Sequence, residues 1–153
     1  ARAQMWEAAN EMQARRKKLG AWKKPGQSWW TDMSGVVHTF FVGDKVHPES
    51  EGIYARLEQL IPKMKKEGYV PHLESSLLDI SDDEKEAELC GHSEKLAIAY
   101  ALNKTAEGTT IRIVKNLRVC QDCHTATAYI SKVEKRTIIC RDASRFHVYK
   151  EGK

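Results

Sequence analysis

Two short stretches carry the residue types best suited to chemistry: His92-Ser93-Glu94 and, beyond the 25 positions from 95 to 119, Cys120-Gln121-Asp122-Cys123. One imidazole and two thiols suit Zn²⁺, and three protein ligands leave the fourth tetrahedral position to water. A metal there makes water a nucleophile near neutral pH. Zinc is therefore the expected cofactor, with His92, Cys120 and Cys123 as its ligands. Glu94, two residues past the candidate histidine ligand, reaches that water without binding the metal. It is the candidate general acid/base, taking the water proton and delivering it to a ring nitrogen and a leaving amine. A C-x-x-C at the start of a helix lets both sulfurs meet one ion, and the helix dipole favours their thiolates.

Together, H-x-E followed by C-x-x-C is the order found in hydrolytic deaminases that act on nucleobases. Either half alone is a weak signal, and other uses of the cysteines stay open. Cys120 and Cys123 also suit a purely structural zinc site or a redox pair. Cys120 to His124 spells C-x-x-C-H, a haem-attachment pattern that needs an export context and a distal ligand. Cys90, beside the histidine, reads as helix packing or a spare ligand, and Cys140, in an apolar run, as core.

The elements that must position these residues follow from local pattern. Met5, Ala8, Ala9, Met12 and Leu19 mark a helix over 1–19 that Gly20 ends, and Lys24-Pro25-Gly26 a turn. The β-branched and aromatic run 36–42 predicts a strand, paired as a hairpin with residues 28–33. Pro48 opens a helix to about Lys66, with Ile53, Leu57, Leu60, Ile61 and Met64 inward and a bend at Pro62. Residues 69–82 lack a clear pattern. Ser81-Asp82-Asp83 caps a helix that pauses at Cys90-Gly91 and resumes at His92 through Leu102. Strand 110–114, helix 121–133, strand 136–141 and strand 145–149 complete an α/β alternation.

Composition sets bounds. The 153 residues suffice for one ordinary domain, and 41% hydrophobic with 30% charged residues is globular. No apolar run approaches the roughly 20 residues of a membrane span, so no membrane partner is expected. Four cysteines, two of them in C-x-x-C, suggest an intracellular metal or redox role rather than a disulfide framework. A net charge of +4 permits a phosphate-bearing partner without requiring one. Lys115, Arg118 and Arg145, next to the motifs, are the candidate phosphate contacts. A start at Ala1 without Met is expected of a piece of a longer protein.

With these motifs in order, the chain resembles the DYW deaminase domain at the C-terminus of plant pentatricopeptide-repeat (PPR) RNA-editing proteins. The resemblance rests on Lys24-Pro25-Gly26-Gln27-Ser28-Trp29 (similar to the PG box), on Val37-His38-Thr39-Phe40 through Gly43-Asp44 with His47-Pro48, and on Gly68-Tyr69-Val70-Pro71. It continues through His92-Ser93-Glu94-Lys95-Leu96-Ala97, Asn116-Leu117-Arg118-Val119-Cys120, Asp122-Cys123-His124, Arg141-Asp142 and Arg145-Phe146-His147. Val119 stands where many deaminases have proline and is ordinary in this family.

The resemblance implies an α/β, cytidine-deaminase-like fold: a central sheet flanked by helices, with an inserted β-hairpin/helix segment. It divides the chain into a helical extension and PG-box linker (1–28), the inserted segment (29–80), which gates the site or serves as scaffold, and a zinc deaminase core (81–153). It implies C-to-U editing of chloroplast or mitochondrial transcripts, with water attacking C4 of cytosine. The implied partners are single-stranded RNA, upstream PPR repeats in the same or a partner chain, and accessory editing proteins. It also implies a second zinc, held by His124 and His147 with two cysteines of a tail that would follow Lys153. Two rival functions remain: a zinc-containing docking module without catalysis, which would have no need of Glu94, and a deaminase of free cytidine.

Overall fold

Alternation of period two builds one sheet, and an almost wholly apolar helix lies against it. The computed structural model describes residues 26–153. Five strands, β1 (Gln27–Thr31), β2 (Val37–Phe41), β3 (Ile111–Lys115), β4 (Ile138–Arg141) and β5 (Phe146–Tyr149), stand in the order β2-β1-β3-β4-β5. The described helices are α1 (Ser50–Lys66), α2 (Asp82–Cys90), α3 (Ser93–Lys104) and α4 (Gln121–Val133). β1 runs antiparallel to both β2 and β3, and β4 antiparallel to β5. β3 and β4 are parallel, with α4 as their crossover. The expected α/β, cytidine-deaminase-like architecture is thus present. The expected helix over 1–19 and most of the following turn lie outside the described residues.

The inward rows explain the packing. In β3, Ile111, Ile113 and Lys115 are buried while Arg112 and Val114 are exposed. α3 lies on β1, β2 and β3, and α1 lies on α3 and α4. Sandwiched between sheet and helix, α3 is buried at every residue from Ser93 to Leu102, which is why its sequence has no polar face. α1 contributes the stripe Ile53, Leu57, Leu60 and Met64, and it continues past Pro62 to Lys66. Strand β3 begins and ends one residue later than its pattern predicts, which brings Lys115 into the strand.

Two local features prepare the site. Ser81 and Glu84 form a reciprocal capping box at the start of α2. The expected pause falls at Gly91, so that α3 restarts with His92 as its N-cap. The hairpin turn is held by Asp32 Oδ1, which accepts the N–H groups of Ser34 and Val36, and Gly35 supplies the positive φ of 82°. Behind the turn, His47 Nδ1 accepts the Glu49 N–H at 3.0 Å, so its Nε2 carries the proton. That Nε2 donates to His38 Nδ1 at 3.2 Å, and His38 Nε2 donates to Asp32 Oδ2 at 2.9 Å.

The boundary expected at residue 28 falls inside β1. Ser28 pairs with Lys115 and Trp29 with Val114, so the hairpin shares the sheet of the C-terminal half.

Candidate metal centre

The candidate ligands come from two helix starts. His92 is the N-cap of α3 and Cys120 the N-cap of α4, and Cys123 lies in the first turn of α4. Their ligand atoms all lie within 4.8 Å of one another, and no other such group of three occurs among the described residues. His92 Nδ1 is 3.5 Å from both sulfurs. A tetrahedral zinc with Zn–S of about 2.3 Å and Zn–N of about 2.05 Å needs N···S separations of about 3.6 Å, so the donor set fits the ion. Hydrogen bonds from Cys123 and His92 hold the Cys120 thiol down at about 3 against the opposing effect of burial. Burial pushes the Cys123 thiol well up, and a metal would displace its proton.

Side chains around the ligands fix their geometry. Burial would lower the His92 imidazole, but Cys120 and Glu88 raise it to about 9. Glu88 Oε1 accepts a hydrogen bond from Nε2 at 3.1 Å, which turns Nδ1 toward the sulfurs. Asp122, between the two cysteines, is a fully satisfied hub. Its Oδ1 accepts from Tyr69 Oη and the His72 N–H, each at 2.8 Å. Its Oδ2 accepts from Lys95 Nζ at 2.5 Å, and its own N–H donates to Ser75 Oγ at 3.1 Å. Lys95 Nζ also donates to Leu89 O at 2.6 Å and lies 3.7 Å from Cys123 Sγ. The stretch 69–75, which has no legible pattern, thereby clamps the start of the ligand helix. Sequence reasoning missed Glu88, Lys95, Asp122 and Tyr69. The available signal was two ionisable residues, Glu94 and Lys95, in an otherwise apolar helix, since charges are almost never fully buried unless paired.

Glu94 is 1% exposed. Its Oε2 accepts from Cys123 Sγ at 3.4 Å, beside the ligand set. Its Oε1 is ion-paired with Lys115 Nζ. This corrects the expectation for Lys115: the side chain is 7% exposed and turned into the core, because it continues the inward row of Ile111 and Ile113, so it is not a surface phosphate contact. Arg118 and Arg145 are exposed. Arg118 Nε donates to Ser144 Oγ at 3.4 Å, and the Val119 N–H donates to Asp142 Oδ2 at 3.2 Å, which ties the turn carrying Arg145 to the residue before Cys120. His124 and His147 come together, with ring centroids 5.5 Å apart. His147 Nε2 donates to Asp142 Oδ2, and His124 Nδ1 is hydrogen-bonded to Tyr149 Oη, both at 2.9 Å. Cys140 is buried, and Cys90 is half-buried at the end of α2.

A mixed sheet under a buried helix, with a His/Cys/Cys set and a glutamate at the helix starts, defines a deaminase-like domain with a candidate metal centre. Residues 68–153 match the DYW family of nucleic acid deaminases, and residues 37–64 match the E+ motif. The chain belongs to the DYW family of nucleic acid deaminases. It is 50% identical, over 98% of its length, to a chloroplastic pentatricopeptide repeat-containing protein of Arabidopsis thaliana, of which it covers 17%. Two further pentatricopeptide repeat-containing proteins of that plant, one of them putative, are 49% and 46% identical over 97% and 99% of the chain, which covers 24% and 23% of them. The chain thus spans about a fifth of the length of the curated relatives it matches. No described helix is long and apolar enough to cross a membrane.

Proposed function

We propose that this domain deaminates cytidine to uridine in single-stranded RNA in a plant organelle, at sites chosen by PPR repeats upstream in the same chain or in a partner. The observation that carries the reading is the placing of Glu94 Oε2 beside three donors at zinc spacing. Zinc on His92, Cys120 and Cys123 would supply the Lewis acidity that makes water nucleophilic near neutral pH. Glu94 takes the water proton and passes it to N3 of cytosine, then takes the proton of the new C4 hydroxyl and gives it to the C4 amino group, which leaves as ammonia. Glu88 orients His92, and Lys95 paired with Asp122 holds the α4 start, and Cys123 with it, against α3. Arg118 and Arg145, both exposed, are the proposed phosphate contacts. In the intact protein, His124 and His147 would hold a second zinc with two ligands from outside the present sequence. Accessory editing proteins are further proposed partners.

The test is to express the intact protein in a host without RNA editing and sequence its transcripts. New C-to-U changes that depend on Cys120 are expected. Their absence with zinc-loaded protein would overturn the reading.

Residues 29–80 belong to the same proposal as the part that controls access. Support comes from the Gly43 N–H, which donates to Gly91 O at 2.7 Å, one residue before His92. β1 is locked into the sheet and residues 69–75 into the α4 cap, whereas loop 42–49 touches the residue before His92 through this bond, so it is the part proposed to respond. Hydrogen exchange there should slow when RNA binds, with 27–31 and 69–75 unchanged. Identical exchange in loop 42–49 with and without RNA would leave the whole segment a scaffold.

A further inference from the structure

Lys115 is a buried cation whose partner is the proposed proton carrier. Its backbone is fixed, since it pairs with Ser28 of β1. Ser28 Oγ is in turn hydrogen-bonded to Ser93 Oγ at 2.9 Å, immediately before Glu94. The β1–β3 joint therefore braces Glu94 twice, through Ser93 on its backbone side and through Lys115 on its carboxylate. Stability alone does not account for such a pair. Burying two charges carries a desolvation cost, and an apolar pair of similar volume often serves as well or better. The ammonium is turned inward, and the group it meets is the Glu94 carboxylate, itself beside the candidate ligand set.

We infer that Lys115 is a positioning residue for the reaction: by holding Glu94 Oε1 from the β3 side, it aims Oε2 at the His92, Cys120 and Cys123 set. The inference rests on the proposed deaminase reading. The two carboxylate oxygens have different neighbours, Lys115 on one and Cys123 Sγ on the other. A glutamate side chain has three rotatable bonds, and the ion pair with Lys115 is the contact that holds Oε1. A misplacement of about 1 Å is enough to cost on the order of 100-fold in rate.

The test uses the intact, zinc-loaded protein and an RNA oligonucleotide carrying a cytidine site found by the sequencing experiment. Lys115→Met, which keeps the side-chain length, should lower kcat per zinc-loaded chain about 100-fold. KM should stay within about threefold, as expected when ground-state binding is untouched, and zinc content should not change. Lys115→Arg, which keeps a cation and its N–H donors, should recover most of the rate. Crystal structures supply a readout independent of activity: Glu94 Oε2 stays beside Cys123 Sγ in Lys115→Arg and swings away in Lys115→Met. If Lys115→Met does not fold, Lys115→Gln takes its place. Parental kcat in the apolar variant, an unmoved Glu94 in its crystal structure, or no recovery in Lys115→Arg would each overturn the inference. An unmutated protein that converts no cytidine would instead sink the deaminase reading, and the crystal structures would still decide the role of Lys115.

Discussion

Replacing Glu94 with Gln in the intact, zinc-loaded protein is expected to lower cytidine conversion by about 10²–10⁴-fold, the usual contribution of a positioned general acid/base. Gln has the same shape but cannot accept the water proton. Zinc per chain should not change, because the carboxylate stands beside the ligand set rather than within it. Stability should fall, however. Lys115 is 7% exposed and would be left as an uncompensated buried charge, which typically costs about 3–5 kcal/mol. The double variant Glu94→Gln/Lys115→Met should recover most of that stability and none of the activity. Conversion rates measured beside urea unfolding separate the two effects. A Glu94→Gln protein that edits at the parental rate would remove Glu94 from the mechanism.

Replacing Cys120 with Ala should lower bound zinc by one equivalent per chain and abolish conversion altogether. Cys120 supplies one of three protein donors, and its thiol is held at about 3 by Cys123 and His92, so it is ready to bind as thiolate. Structural zinc sites are worth on the order of 10 kcal/mol in apparent binding free energy, and that energy is linked to folding. The variant should therefore also unfold at lower temperature. Chelation of the unmutated protein should reproduce both losses, and added zinc should reverse them. Zinc analysis with thermal unfolding is the check, and wild-type zinc content in Cys120→Ala would refute the assignment.

The candidate site was legible in the sequence because it sits in two short local motifs. H-x-E and C-x-x-C each occupy one helix start, and the spacing within a helix turn is a local property of the chain. The fold class was legible for the same reason: alternation in β3 and the stripe of α1 are patterns over a few residues. The helix pause at Cys90-Gly91 and the cap at Ser81 followed from side-chain and backbone preferences of single residues. Strand ends were displaced by a residue or two, since fraying ends are set by pairing partners rather than by propensity. In β3 that small displacement mattered, because Lys115 pairs with Ser28 across the sheet. Counting the period-two row inward from Ile111 would have placed Lys115 on the buried face.

What the sequence determined by itself was the candidate donor set, the proposed proton carrier and the alternation of helix and strand. Each depends on residues within a few positions of one another. What only the tertiary structure decided was how distant elements meet. His92 and Cys120 are brought together by the packing of two helix starts. Asp122 is clamped by Tyr69 and His72, about fifty residues away along the chain. Lys115 faces Glu94 because β3 lies under α3. These contacts follow from chain crossings and buried charge pairing, which local periodicity does not encode. A lysine beside a motif reads as a surface charge until the sheet shows which side of the strand it occupies.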